Sequence, residues 1–552
     1  MVTNKQLADL IFPEIHETID DLEKRFPPRN LPDGAEVTRF APSPTGFLHT
    51  GSLFTSMICK KLANQSQGVF YIRLEDTDTK REIEGSGLKL LEEMKQFSIV
   101  PDEGYLGDHE EGNYGPYVQS KRADIYKVCI KYLLEQGKAY PCFATQAELD
   151  ELRANQEANK ILPGYYGPYA IYRDLENDER MEKIKSGTPY VIRFRSEGNH
   201  NNKIKVHDMI RGTFAIAEND QDIVIYKSDG LPTYHFAHAC DDHFMRTTTV
   251  IRGEEWISSL PIHVQLFEAL GFKAPQYAHI PVIMKVDENG NRRKLSKRKD
   301  VEAAVSYFLD DGYPSEAIIM YLMTIANSNF EEWIFQNNFS HMEDFKLSFD
   351  KFSLDGALFD IVKLQFFAKE ILSRKNKQEM YDLALEFASK RDERFKEYLL
   401  KNPEYFKEII NIERESENPR KDYYKFGGML DIIGFFYNDI YDNSIDTSIF
   451  NPNISHDVIK KLLNRMRDLD TSKEKNDWFA DLKAIGVEEG FAESNKIYKA
   501  NKEAYLGHVG DVAEVLRIAL TTRKNAPDLY SVMKILGNKE VNRRIDKIIS
   551  LL

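Results

Sequence analysis

The spacing of apolar residues changes along the chain and divides it into regions of different expected structure. Over residues 1–35, apolar side chains recur at intervals of three and four, which predicts a helix with one polar face. The run PPRNLPDG, rich in helix breakers, ends this pattern. We therefore expect an N-terminal helical extension over residues 1–35.

The following region alternates between strand and helix patterns. VTRF reads as a strand, APSPTG as a turn, residues 53–65 as an amphipathic helix and GVFYIRL as a buried strand. This order predicts a βαβ unit, the start of a parallel sheet. The pattern stops, resumes with TTTVIRG and SLPIHVQLFEALG, and gives way to helical periodicity from about residue 300.

A sheet pattern that stops and resumes indicates an inserted domain. The expected fold class is α/β, with a Rossmann-like nucleotide-binding domain split by an α+β insertion and followed by an all-α C-terminal region. Residues 120–160 are expected to be helical and residues 188–227 rich in strands. The expected bounds are 36–119 and 229–290 for the two halves, 120–228 for the insertion, 291–370 for a connecting region and 371–552 for the helical region.

Composition narrows the class of protein. The chain has 552 residues, which suggests three or four domains at roughly 150 residues each. No apolar run approaches the ~20 residues of a membrane span, and the N-terminus lacks the pattern of a signal peptide. Four cysteines without a CxxC pair predict reduced thiols and a cytoplasmic protein. The net charge of −14 argues against a nucleic-acid partner, although net charge does not report what a local groove binds.

Two segments carry the candidate chemistry. RFAPSPTGFLHTGS, residues 39–52, joins a strand to a helix, the place where open α/β sheets bind nucleotides. Its His49 can donate to a phosphate whose charge grows during displacement, and Gly51 allows close backbone approach. The basic run NRRKLSKRKD can follow a polyphosphate with its ammonium groups. Taken singly, the two segments also fit an ordinary turn and a solvated basic loop.

Taken together, the motifs carry a family resemblance. APSPTGFLHTGS resembles the first signature of class I aminoacyl-tRNA synthetases, and KLSKR resembles the second. Further segments resemble the glutamyl-tRNA synthetase family: RLEDTD, GPYVQS, KSDGLPTYHFA, DDHFM, IRGEEW and, near the C-terminus, LGHVGDVAEVLRIALT. The resemblance runs from about residue 37 to the end of the chain, so residues 1–35 fall outside it.

The resemblance implies a two-step reaction. L-glutamate would attack the α-phosphate of ATP to give glutamyl adenylate and pyrophosphate, and the terminal ribose of tRNA(Glu) would then take the glutamate. Some members also charge tRNA(Gln), and the sequence fits either scope. Mg²⁺ is expected with ATP because it neutralises the pyrophosphate. His49 and Gly51 would stabilise the α-phosphate, Ser52 would lie beside ATP, and Lys297 with Lys294 would bind the triphosphate. The enzyme is expected to be a monomer.

The resemblance also implies a subsite for glutamate. Arg252 would bind the side-chain carboxylate through its two-pronged guanidinium, although such a residue also fits a surface ion pair. Glu75, with Ser43 and the Ala41 backbone, would hold the α-ammonium. His238 stands where some members have Asn, and its charge is expected to be sensitive to pH near neutrality. The complete implied set is Arg39, Ala41, Ser43, Glu75, Tyr234, His238 and Arg252.

Two groups of residues have side chains that could also bind a metal ion. Glu75, Asp76 and Asp78 also fit a carboxylate cluster for a metal ion. A second group lies within nine residues, but its spacing is not a standard zinc pattern: His235, His238, Cys240, Asp241 and His243. Some family members bind zinc in the insertion through closely spaced cysteines, whereas in this chain the corresponding stretch PCFATQAEL has only Cys142. We expect no protein-bound metal site.

The insertion would hold the acceptor end of tRNA, and the C-terminal third would read the anticodon. Anticodon bases are read by stacking and by hydrogen bonds to base edges, often from arginines. Two rival functions remain: a glutaminyl-tRNA synthetase, expected to have a β-barrel anticodon region, and a non-catalytic tRNA-binding protein derived from a synthetase. The candidate anticodon arginines are Arg465, Arg467, Arg517, Arg523, Arg543 and Arg544.

Overall fold

The computed structural model of the chain describes residues 2–44, 46–78, 83–296 and 299–552. The chain forms two compact units. The first comprises Met1–Phe308 and Ile319–Asp360, and the second comprises Leu309–Ile318 and Ile361–Leu552. Among the helices of the described ranges, none is long and apolar enough to cross a bilayer.

The N-terminal extension forms two short helices, α1 (Asn4–Ile11) and α2 (Ile19–Arg25), so the expectation of one continuous helix is wrong. The break has a local cause: Phe12 precedes Pro13, and the ring of a proline disfavours helical geometry in the residue before it. Thr18 then caps α2 through its hydroxyl. Both helices pack within the first unit, and Phe12 and Leu22 are buried in one of its hydrophobic cores.

The expected βαβ unit is present. Strand β1 (Val37–Phe40) leads through helix α3 (Thr50–Gln65) to strand β2 (Val69–Ile72), which pairs parallel with β1 in the register Val37 to Val69. Helix α4 (Ser86–Gln96) and strands β3 (Glu103–Tyr105) and β4 (Glu110–Glu111) follow. They extend the sheet in the order β1-β2-β3-β4.

The next part of the chain adds a separate sheet and a hairpin. Strand β6 (Val191–Phe194) pairs antiparallel with β5 (Ala139–Cys142) and β9 (Val224–Tyr226), and β7 (Lys203–Asp208) and β8 (Gly212–Ala217) form a hairpin. Strand β5 lies within a stretch that was expected to be helical, and its four residues are too few to show a clear period. The elements in chain order are α5 (Ala123–Glu135), β5 (Ala139–Cys142), α6 (Gln146–Ala158), α7 (Asn177–Lys185), β6 (Val191–Phe194), β7 (Lys203–Asp208), β8 (Gly212–Ala217) and β9 (Val224–Tyr226).

The sheet pattern then resumes as the sequence predicts. Helix α8 (Tyr234–Phe244) leads to strand β10 (Thr249–Gly253), helix α9 (Leu260–Leu270) and strand β11 (Gln276–Ile280). Strands β10 and β11 are parallel, and β11 pairs with β7. The Thr248 N–H donates to the Val37 carbonyl at 3.0 Å, so β10 begins beside β1. The two halves therefore meet between β1 and β10, where an open sheet binds its ligand.

A hairpin and three helices complete the first part of the chain. The hairpin consists of β12 (Met284–Val286) and β13 (Arg292–Lys294), so Lys294 lies on a strand. The helices are α10 (Val305–Asp310), α11 (Ser315–Ala326) and α12 (Phe330–Gln336).

The C-terminal part of the second unit is helical, as expected. Among its described residues, the only β structure is one isolated β-bridge. Arg544 lies in its interior with no exposed surface and donates to the carbonyls of Phe435 and Leu520. Its helices are α13 (Ile361–Arg374), α14 (Lys377–Arg391), α15 (Glu393–Lys401), α16 (Pro403–Ile410), α17 (Met429–Ile433), α18 (Asn438–Asn443), α19 (His456–Met466), α20 (Lys475–Glu488), α21 (Asn495–Ala500), α22 (Val509–Thr521) and α23 (Leu529–Leu551).

The packing of the extension predicts that it stabilises the first unit. The Phe12 ring is 3% exposed and meets Tyr226 edge-on, with ring centroids 5.6 Å apart. Phe12→Ala should lower the free energy of unfolding by about 3–5 kcal/mol because it leaves a cavity. Urea denaturation measures this change. The exposed Lys5→Ala is the control, expected within about 0.5 kcal/mol of wild type; an equally small change for Phe12→Ala would contradict the packing.

Candidate active site

A cleft with a cavity volume of about 930 Å³ lies at the carboxyl ends of the parallel strands β1, β2, β10 and β11. Lys297, assigned to the triphosphate from the sequence, lies outside the described residues. His238 is absent from the described lining. The other ten site residues that the sequence predicts all line the cleft: Arg39, Ala41, Ser43, His49, Gly51, Ser52, Glu75, Tyr234, Arg252 and Lys294.

His49 begins helix α3 as its N-cap. Its ring Nδ1 accepts the Gly51 N–H at 3.0 Å, so the neutral imidazole carries its proton on Nε2. A Cβ at position 51 would lie 3.2 Å from Nδ1, which explains why a glycine suits this position. The helix start therefore presents an N–H donor on His49 at the place where a phosphate would be bound.

The start of α3 is tied to the chain that follows the basic motif. The Thr50 hydroxyl donates to the Glu302 carbonyl at 2.7 Å, and the Val305 N–H donates to the Leu48 carbonyl at 3.2 Å. These bonds bring the two signature segments together, although about 250 residues separate them in sequence.

Lys294 and the residues around it are held by carboxylates. Arg293 donates to both carboxylate oxygens of Asp300, at 2.6 and 2.8 Å, and this partner holds the pKa of Asp300 well below its usual range. Lys294 Nζ lies 2.8 Å from Glu255 Oε1, and both of these side chains line the cleft. A bound phosphate would therefore compete with Glu255 for the Lys294 ammonium.

Arg252 is a buried cation with neutral partners. It is 6% exposed, and it donates to His279 Nε2 at 2.9 Å, to His263 Nδ1 at 3.1 Å and to the Trp256 carbonyl at 3.4 Å. Its guanidinium also lies 4.9 Å from the centre of the Tyr277 ring. Among the described residues, no carboxylate forms an ion pair with Arg252. The guanidinium can therefore attract an anion that enters the cleft.

Glu75 supplies the opposite charge. It is 8% exposed and accepts from Arg73 at 2.9 Å. Burial raises its pKa, and the Arg73 guanidinium opposes this rise. Arg73 and Arg39 both form ion pairs with Asp242, at 2.6 and 3.2 Å. The cleft thus has a buried carboxylate that can accept from an ammonium, together with an uncompensated guanidinium.

His238 corrects one expectation. The side chain has no exposed surface; its Nε2 lies 3.0 Å from the Tyr277 hydroxyl and its Nδ1 lies 2.8 Å from Asp242. Burial lowers the pKa of His238 to about 4, so the ring is neutral at pH 7 rather than sensitive to pH near neutrality. Tyr234, stacked 6.1 Å from it, lines the cleft in its place.

Asp241, His243 and His235, three residues of the second candidate metal-ligand group, contact other side chains in the structure. Asp241 pairs with Arg122 at 2.6 Å, His243 with Glu23 at 2.6 Å, and His235 lies 3.0 Å from His263. In the ranges that the structure describes, no group of three or more His, Cys, Asp or Glu side chains could hold a metal ion.

Sequence reasoning missed the residues that support the lining. Arg73 and Asp242 lie inside the recognised segments RLEDTD and DDHFM, so the motifs gave a signal that they matter, but not which partners they have. His263, His279 and Asp208 lie outside every recognised segment. Only the fold brings His263 and His279 beside Arg252, and Asp208 beside His279.

Comparisons with known families agree with this architecture. The family described as tRNA synthetases class I (E and Q), catalytic domain, matches residues 36–366, and an anticodon binding domain family matches residues 380–549. The glutamate–tRNA ligase of Clostridium perfringens strain SM101 is 46% identical over 99% of this chain and 100% of its own length. The corresponding protein of Clostridium beijerinckii is 44% identical over 99% and 100%. These alignments include most of residues 1–35, which the motifs left outside the resemblance.

Solved structures give the same result. Glutamate–tRNA synthetase from Elizabethkingia anophelis has a TM-score of 0.72 at 28% identity and covers 94% of this chain and all of its own. A glutamate–tRNA ligase from Elizabethkingia meningosepticum, in complex with its amino acid, has a TM-score of 0.71 at 28% identity, covering 94% and 99%. The fold class predicted from the sequence is confirmed, and the chain belongs to the glutamate–tRNA ligase family of class I aminoacyl-tRNA synthetases.

Proposed function

We propose that this chain activates L-glutamate with ATP and then charges tRNA(Glu) with it. In the first step the α-carboxylate of glutamate attacks the α-phosphate of ATP, and the bond to the leaving pyrophosphate breaks. In the second step the 3′-terminal ribose hydroxyl of tRNA attacks the acyl carbon, and AMP leaves. The observation that carries this proposal is Arg252, a buried guanidinium at the cleft with no carboxylate partner among the described residues.

The charges of the cleft fit glutamate better than glutamine. Arg252 would take the side-chain carboxylate in a two-pronged contact, which a neutral amide cannot match in charge. Glu75 would hold the α-ammonium, with Ser43 and the Ala41 backbone beside it. Arg39 and Tyr234 would complete the walls of the subsite.

The same cleft has groups for the displacement at phosphorus. His49 would donate from Nε2 to an α-phosphate oxygen, where negative charge grows, and the Gly51 backbone would lie beside it. Lys294 would leave Glu255 for the triphosphate, and Lys297 and Ser52 would also contact ATP. The glutamate α-carboxylate is ionised at neutral pH, so the attack needs no general base. Mg²⁺ would enter with ATP on phosphate oxygens and neutralise the pyrophosphate.

The second unit would read the anticodon, while residues 120–228 would hold the acceptor end of tRNA. Arg544 is withdrawn from the anticodon candidates because it is fully buried. Carboxylates pair with Arg465, Arg467 and Arg543, and backbone carbonyls accept from Arg523. In contrast, the side chain of Arg517 on α22 has no hydrogen bond or ion pair with the described residues, and its Nε is buried. Arg517 is therefore the strongest anticodon candidate.

The rival functions fit less well. A glutaminyl-tRNA synthetase is expected to have a β-barrel anticodon region, whereas the second unit is helical. A non-catalytic tRNA-binding protein would not need His49, Gly51 and Lys294 at one cleft. We further propose a monomeric cytoplasmic enzyme, in line with its four buried free cysteines.

Aminoacylation of purified tRNA(Glu) and tRNA(Gln) with labelled glutamate tests the proposed function and its scope. We expect charging of tRNA(Glu), and the second tRNA decides whether tRNA(Gln) is also a substrate. Failure to charge both, by a folded protein supplied with ATP and Mg²⁺, would contradict the proposal.

Removing the anion-binding guanidinium tests the amino-acid subsite. Arg252→Ala should lower kcat/KM for glutamate by at least about 100-fold, because a buried charge–charge contact with the substrate is lost. Arg252→Lys keeps the charge without the fork and should lose less. Pyrophosphate exchange measures both variants, and an unchanged thermal midpoint is the control for folding. If Arg252→Ala exchanged pyrophosphate at a rate near that of the wild type, another residue would have to bind the side-chain carboxylate of glutamate.

The unpartnered arginine of α22 tests the tRNA interface. Arg517→Ala should raise KM for tRNA(Glu) about 5- to 30-fold, the loss of one side-chain contact worth about 1–2 kcal/mol, and leave KM for glutamate and ATP unchanged. Arg467→Ala is the matched control, since its guanidinium is already paired with Asp546. Equal KM values for tRNA in the two variants would contradict a contact between Arg517 and tRNA.

A further inference from the structure

Two imidazoles hold Arg252, and each accepts from a different nitrogen of its guanidinium. His279 Nε2 accepts from Nε at 2.9 Å, and His263 Nδ1 accepts from one terminal nitrogen at 3.1 Å. Both rings have no exposed surface. The two acceptors fix the position of the guanidinium plane, since Arg has no freedom to satisfy both in another orientation.

The hydrogen bonds on the far side of each ring fix its tautomer. His279 Nδ1 lies 2.7 Å from Asp208, so it carries the proton and leaves Nε2 as an acceptor for Arg252. His263 accepts from Arg252 through Nδ1, so its Nε2 carries the proton and donates to His235 Nδ1 at 3.0 Å. Each ring is therefore neutral and presents a lone pair to the guanidinium.

A carboxylate in place of either imidazole ring would neutralise the charge of Arg252. The other buried arginines beside the cleft are paired directly with carboxylates, as Arg39 and Arg73 are with Asp242. Asp208 reaches Arg252 only through the His279 ring, and it is also satisfied by the backbone N–H groups of Ile210 and Arg211. It orients His279 without contacting the guanidinium.

We propose that His263 and His279 are positioning residues that hold Arg252 through neutral acceptors and thereby set the preference of the site for a substrate carboxylate over an amide. Asp208 supports this role by fixing the tautomer of His279. The inference rests on the proposed function, in which Arg252 binds the side chain of glutamate. Burial lowers the pKa of both rings below the usual value for histidine, in agreement with neutral acceptors at pH 7.

The isosteric pair His263→Gln and His263→Glu tests this inference, because the two variants differ in charge and not in size. The readouts are KM for glutamate and the inhibition constant of glutamine as a competitor, both in pyrophosphate exchange with ATP and tRNA(Glu). His263→Glu would neutralise Arg252, so KM for glutamate should rise at least about 30-fold while the glutamine constant changes less than about 3-fold. His263→Gln should keep the ratio of the two constants within about 5-fold of wild type.

Two variants at His279 provide a second test in case a His263 variant fails to fold. His279→Gln and His279→Glu repeat the comparison at Arg252 Nε, and thermal denaturation identifies any variant that is unfolded. Equal ratios in the folded Gln and Glu variants at either position would overturn the inference and leave the histidines a purely structural role. If the wild-type protein showed no glutamate-dependent exchange at all, the proposed function would fail instead, so the two failures are distinguishable.

Discussion

The hydrogen bonds from Arg252 to two neutral imidazoles are the interaction on which the site depends. A cation taken out of water loses several kcal/mol of solvation, which a protein normally offsets with a carboxylate. Here the described hydrogen-bond partners of Arg252 are two histidine rings and a backbone carbonyl. The missing negative charge is one that a substrate can supply, so the free protein already specifies the sign of its ligand.

The surrounding structure keeps that charge uncompensated. Asp241 and Asp242 are both fully buried, but they are occupied by Arg122, Arg73 and Arg39. The same network holds Glu75 through Arg73, so the groups proposed for the two ends of the amino acid are fixed by separate partners. The N-terminal extension contributes at the end of α8, where Glu23 pairs with His243.

Local pattern predicted most of the fold. The βαβ unit, the strand-rich segment and the helical C-terminal region follow from periodicity. The two signature segments, together with RLEDTD, KSDGLPTYHFA and IRGEEW, placed ten residues at one cleft. The failures were local where an element is short: Pro13 divides the first helix, and β5 has too few residues to show a period. Other predictions failed because contacts between residues distant in sequence determine which side chains are buried. His238 and Arg544 have polar side chains that a single sequence places at a site or a surface, and only partners distant in the chain reveal them as interior residues.

Amino-acid specificity of the wild-type protein tests the central claim most directly. Pyrophosphate exchange with ATP and tRNA(Glu) should give a kcat/KM for glutamate at least about 1,000-fold above that for glutamine, because an amide leaves the buried charge of Arg252 unpaired. Comparable values for the two amino acids, or a preference for glutamine, would contradict the account.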